Sequence, residues 1–222
     1  PEAPVPVFQN NRMRQKNAGM AMNVFNNIQS LSKAQIEIVT NRNWTDATKT
    51  RYVDFRTNSI VVRVDTNDDI FNRCDLSQIN FEEYAAVVIS DYNKGFLTEE
   101  DIETISNKHP ITFLDTKKIL GSWCENIKFI KINEFEYDRT KHMLNDHLLN
   151  KMIITLGPNG AKFNEKTYNV SKVEIKDTAG AGDTFIAGLV TKYVETEDID
   201  ESIRFANACA TKVVQKKGVS TA

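Results

Sequence analysis

Between Asp177 and Asp183 the chain reads D-T-A-G-A-G-D, two carboxylates enclosing small residues and directly preceding an apolar segment that starts at Phe185. Small residues bare the backbone, and a glycine-rich turn that opens a helix leaves N–H groups free at the positive helix end, a ready site for an anion such as a phosphate. Gly180 and Gly182 supply the conformational freedom for such a turn. Asp183 then falls in the first helical turn, where it can deprotonate an attacking hydroxyl. Acidic residues also stabilise helix starts without any chemistry, so spacing alone leaves cap and base equally open for Asp177 and Asp183.

The elements around this stretch must hold it in place. Short apolar runs at Ala85–Ser90, Ile111–Thr116, Ile127–Ile132 and Lys151–Leu156 predict buried strands, and Lys172–Asp177 reads as a further strand leading into the motif. Thr98, with Asp101 three positions on, predicts a helix start after the first run. Apolar positions at Phe185, Ile186, Leu189, Val190, Tyr193 and Val194 have helical spacing, and a last helix is expected from about Ile199 to Val214. Alternation of this kind predicts a mostly parallel sheet covered by helices. Thr50–Phe55 and Ser59–Asp65 instead alternate apolar with polar, as half-exposed antiparallel strands do, and "AKFNEKTYNV" (161–170) reads as a hairpin-like excursion.

Composition narrows the function classes. The 222 residues carry a net charge of −2, so neither nucleic acid nor an anionic membrane is attracted by bulk charge, and phosphate binding has to come from local geometry. Cys74, Cys124 and Cys209 lie far apart with no CxxC pair, which argues against a zinc site or a disulfide framework and suits a reducing, cytoplasmic setting. No apolar run reaches the roughly 18 residues of a membrane span. The chain starts at Pro1 rather than a methionine and is read as a trimmed piece.

The stretch "DTAGAGDTF" resembles the DTxGAGD signature of the ribokinase-like (PfkB) sugar kinases. That resemblance implies a Rossmann-like α/β/α core with a small β-sheet lid: one kinase domain over 1–222, lid strands mainly within 1–10 and 48–66, core over 16–40 and 80–222. It implies Asp183 as catalytic base and Gly180, Ala181 and Gly182 as the anion hole. "PEAPVPVF", "TKTRYVDF", "VVISDYNKGFLT", "IITLGPNGAKF" and "FANACATKVVQKKGVST" are similar to successive segments of the RfaE-type branch, which phosphorylates the anomeric hydroxyl of a heptose 7-phosphate. By the same resemblance "GMAMN" offers Gly19 and Asn23 to the sugar, with Met20 in place of the second family glycine. "SDYNKG" offers Asp91 and Lys94, and Arg63 of the lid meets the distal phosphate of the sugar. Thr155, Gly157, Gly160, Lys117 and Asn207 fall at nucleotide-binding positions, Lys117 in a "DTK" that also holds Asp115. Glu134 matches the glutamate that organises Mg²⁺, with Asp177 as a second metal candidate, while Lys131 occupies the position of the motif's asparagine. Nothing matches the family's first strand, so the N-terminal part of the core is expected to be missing or reduced.

Plainer readings stand beside these: a surface turn at 91–95, an ion pair for Arg63, a solvated Lys117, a simple turn at 157–160. The function implied is ATP-dependent phosphorylation of a sugar or sugar phosphate, with ATP and Mg²⁺ and no nucleic-acid or membrane partner. The resemblance adds a homodimer formed through the lid strands. A kinase for another sugar or nucleoside, and a non-catalytic sugar- or nucleotide-binding relative, remain open at this point.

Overall fold

In the computed structural model, residues 19–222 are described apart from 43, 55, 58 and 69–71. The expected lid strand within 1–10 lies outside the described residues. Helix α1 (Met20–Leu31) is followed by an antiparallel hairpin of β1 (Thr48–Val53) and β2 (Ile60–Thr66). The main body then runs β3 (Val87–Asp91), α2 (Glu99–Lys108), β4 (Thr112–Thr116), β5 (Phe129–Asn133), α3 (Glu134–Thr140), α4 (Asp146–Leu149), β6 (Met152–Thr155), β7 (Ala161–Phe163), β8 (Lys166–Tyr168), α5 (Ala181–Thr196) and α6 (Ile199–Val213). Strands β3 to β8 form one sheet in sequence order, parallel from β3 to β6 and antiparallel at the β6–β7–β8 edge.

Strand side chains alternate between two cores. Phe113, Phe129 and Ile153 pack with Phe185, Leu189, Tyr193 and Ile203 on the side of α5 and α6. Leu114, Ile130, Ile132 and Met152 pack with Ile102, Ile105 and Leu148 on the other. β4 is buried throughout, Thr112, Asp115 and Thr116 included, as a strand covered on both faces is. Under α5 the rings of Phe113, Phe129 and Tyr193 meet at centroid distances of 5.1–5.6 Å, fixing the helix against the sheet. α2 starts as expected: the Thr98 side chain accepts from Asp101 N, and Asp101 accepts from Thr98 N in return.

One expected strand is absent. Residues 172–177 join no sheet, because the Lys176 and Asp177 N–H groups both donate to Val214 O at the end of α6, at 2.8 and 3.2 Å. The hairpin is placed as expected but is exposed on both strands. Cys74, Cys124 and Cys209 are free thiols. No helix among the described residues is long and apolar enough to cross a membrane.

Candidate active site

The parallel strands end together, and there β4 and β5 deliver Asp115 and Lys131 as direct register partners. Both residues continue the Phe113/Phe129 face, so their side chains stand on the side covered by α5. Lys131 Nζ donates to Asp115 Oδ2 at 2.8 Å. Above them α5 begins at Gly180, whose φ of 82° is left-handed and whose missing Cβ leaves room for Val219, 3.1 Å from where that Cβ would lie.

Asp183 is 7% exposed in the first turn of α5. Burial pushes its carboxyl up to about 6, with the Asp115 charge adding to the rise; a hydrogen bond from Asn23 and the Lys131 and Lys117 charges oppose it. Asn23 Nδ2 donates to Asp183 Oδ2 at 2.9 Å. Asn23, expected as a sugar contact, therefore orients the carboxylate. Gly19 takes a positive φ of 84° at the start of α1, and among the described residues nothing lies within 4 Å of where a Cβ would be.

The expected anion hole needs one correction. Ala181 N–H turns back to Thr178 O at 3.2 Å, so it is spent. Among the described residues the Gly182 and Asp183 N–H groups make no hydrogen bond; they are first-turn amides with no helical acceptor behind them. Gly182 has a second reason to lack a side chain, since a Cβ there would fall 2.9 Å from Lys131 Nζ.

Several other expected site residues are drawn into structural work. Asp177 spends one oxygen on Ala179 N at 2.9 Å and the other on Gly218 N at 3.0 Å, which holds the motif's entry and leaves a poor metal ligand. Asp91 accepts from Asn93 N at 2.9 Å and Thr116 Oγ1 at 2.7 Å, with Lys118 Nζ at 3.3 Å; it fastens two strand ends. Arg63 pairs with Asp65 on its own strand at 3.0 Å. Lys94 pairs with Asp68 at 2.5 Å, and Asp68 also holds Lys49 of β1 at 2.6 Å, so Lys94 ties the lid to the strand end. Gly160, with φ 87°, is dictated by packing: a Cβ would lie 2.0 Å from Tyr168 O.

Lys117 belongs with the base, close enough to lower the Asp183 carboxyl and ion-paired to Glu136. Thr155 donates to Ile132 O at 3.2 Å across the sheet, and Gly157, with φ 56°, has open space where a Cβ would be. Asn207 donates to Tyr168 O at 2.7 Å and lines a pocket between β8 and α6 with Arg204, Thr211 and Gln215. Glu134 is exposed in the first turn of α3, and no cluster of three or more His, Cys, Asp or Glu among the described residues could hold a metal by itself.

Sequence reading passed over Tyr92. Its phenol is pushed up by partial burial and by the Asp183 and Asp115 charges, against Lys131 and Arg51. Tyr92 thus marks where the strand ends and the charged face of the lid come together, and its place beside Asp91 was the available signal.

The profile of the pfkB family of carbohydrate kinases matches residues 48–222. The Bifunctional protein HldE of Helicobacter pylori is 31% identical over 277 positions, covering all of this chain and 59% of that protein. The chain therefore spans less than two thirds of the length of the curated relatives it matches. A ribokinase from Thermotoga maritima superposes with a TM-score of 0.59 at 16% identity, over 78% of this chain and 64% of that one. A Clostridium perfringens protein assigned as a sugar kinase gives a TM-score of 0.58 at 19% identity, over 78% and 62%. At such identities these two likenesses establish the ribokinase-type α/β fold.

Proposed function

The chain belongs to the pfkB family of carbohydrate kinases, and from that premise we propose that it transfers a phosphoryl group from ATP to a hydroxyl of a sugar phosphate, most in keeping with a heptose 7-phosphate acceptor. The observation that carries the reading is the carboxylate of Asp183, buried, oriented by Asn23 and raised to about 6, beside two unbonded helix-start amides. A base with that value is ionised at neutral pH and still basic enough to take a hydroxyl proton.

Asp183 accepts the proton as the sugar oxygen bonds to the γ-phosphorus and the bond from that phosphorus to the ADP oxygen breaks. The Gly182 and Asp183 amides hold the negative charge that builds on the transferring group. Asn23 and α1 fix the base, and Lys94, through Asp68, steadies the lid over the acceptor. Mg²⁺ when bound screens the phosphate charges. It fits this donor set as an ion that arrives on the nucleotide and needs only one or two carboxylates from the protein, with Glu134 the exposed oxygen donor at the strand ends. The pocket beside Asn207 is the concavity offered to the adenine end.

A homodimer through the lid is favoured by an exposed apolar face on the hairpin. Register places Tyr52 opposite Val62 and Thr50 opposite Val64 on one face, and Arg51 opposite Arg63 and Lys49 opposite Asp65 on the other, with a register shift before Val53 and Ile60. The apolar face is open, with Val64 at 46% exposure. A two-stranded hairpin is marginal on its own, so a second copy covering this face is the simplest source of its stability.

The test is ADP release from ATP and Mg²⁺ with a panel of sugars and sugar phosphates, heptose 7-phosphate included. Release with heptose 7-phosphate, lost on Asp183→Asn, is expected. Calorimetric binding of ATP and sugar with no ADP formed would make the chain a binding module and sink the kinase reading.

A further inference from the structure

Lys131 is 5% exposed, and its only hydrogen bond among the described residues runs to Asp115 Oδ2. An ammonium has three N–H donors, so two are unspent where little water reaches. Its partner is equally unfinished: Asp115 is 1% exposed and its Oδ1 has no hydrogen-bond partner among the described residues. A buried ion pair is stable only when its remaining donors and acceptors are satisfied, so this one is short of a polar group.

Gly182 shows where that group belongs. The Lys131 ammonium lies so close to the first turn of α5 that a methyl at Gly182 would stand 2.9 Å from it. The open Gly182 and Asp183 amides and a fixed cation thus converge on one spot. A positive helix end beside a lysine is repulsive, and an anion placed between them turns both into attraction. Asp115 pairs with the lysine from the sheet side, while on the α5 side the Asp183 carboxylate feels its charge without a hydrogen bond to it among the described residues.

Resting on the kinase reading, we propose that Lys131 is a further catalytic residue: a protein-borne cation that contacts the phosphoryl group in transit and completes the cradle made by the Gly182 and Asp183 amides. The acceptor proton goes to Asp183, the new bond joins the sugar oxygen to phosphorus, and the electron pair of the broken bond leaves with ADP.

The experiment compares Lys131→Met, Lys131→Arg and the double variant Lys131→Met with Asp115→Asn. Removing the lysine alone strands a buried carboxylate, so the double variant is the one expected to keep its fold, as checked by circular dichroism. Steady-state ADP release should show kcat about 100-fold lower in both Met variants, with the ATP KM within about three-fold and partial rescue by Arg. Calorimetry with inorganic phosphate should show affinity lowered about ten-fold in the Met variants, with ADP affinity held. Folded Met variants with wild-type kcat and wild-type phosphate affinity would overturn the proposal. A wild type that forms no ADP with any acceptor, yet binds phosphate through Lys131, sinks the kinase reading and retains the anion contact. A working kinase indifferent to Lys131 does the reverse.

Discussion

Asn23 Nδ2 and Asp183 Oδ2 stand 2.9 Å apart across 160 residues of chain. The contact joins the first turns of α1 and α5, so the expected sugar-binding turn and the expected base form one unit. It also divides the carboxylate: Oδ2 is engaged, while Oδ1 makes no hydrogen bond among the described residues.

Asn23→Ala removes a hydrogen bond that lowers the Asp183 carboxyl, so the value should rise above about 6. The acid limb of a kcat/KM against pH profile should move to higher pH. Plateau kcat should fall roughly ten-fold as the base loses its orientation. A limb that stays in place would show that Asn23 acts on the sugar alone.

Asp183→Asn should lower kcat by about 10²–10⁴-fold while ATP affinity, read by calorimetry, stays within about two-fold. The same variant should be more stable than wild type at neutral pH. The folded carboxyl is raised from 3.8 to about 6, so across that window the folded chain keeps a proton that the unfolded chain releases, and stability falls as pH rises. The cost at pH 7 is about 3 kcal/mol. Thermal melts should therefore separate the two proteins at pH 8 and bring them together below about pH 4.

Gly160→Ala should cost about 2–4 kcal/mol in urea unfolding, since the methyl meets a carbonyl at 2.0 Å in a left-handed conformation. Gly157→Ala, with open space around it, should cost only about 1 kcal/mol. Equal losses would assign Gly160 a role other than packing.

Asp68 binds Lys49 of the lid and Lys94 of the core, and these ammonium groups hold its carboxyl below the usual range although partial burial pushes it up. Asp68→Asn should speed amide hydrogen exchange in β1 and β2 and raise the sugar KM several-fold, with kcat little changed. High salt should imitate the variant in part, because these charges are partly exposed.

Val62→Lys places a charge in the open apolar face of the hairpin. Light scattering should then report a monomer where the wild type is a dimer. A wild type that is monomeric at micromolar concentration would remove the lid dimer.

The parallel strands, the capped start of α2, the lid hairpin and the motif that opens α5 were legible in the sequence. Each is written in near neighbours: an apolar run, a Thr and Asp three positions apart, glycines beside an aspartate. It misplaced 172–177 because an alternating run looks the same whether its N–H groups find a sheet or, as here, Val214 O. The tertiary structure decided what the site residues do. Ala181 looked like Gly182 in the motif, yet its amide is spent on Thr178 O. Asp177 and Asp183 are the same residue type a few positions apart. One satisfies two backbone amides, and the other is buried to about 6 beside Asn23. Lys131 read as a mismatch until β4 and β5 set it against Asp115 and Gly182. Burial, charge and hydrogen bonding between residues far apart in the chain set a carboxylate's proton and a lysine's partner, and those neighbours exist only once the sheet and α5 have closed over one another.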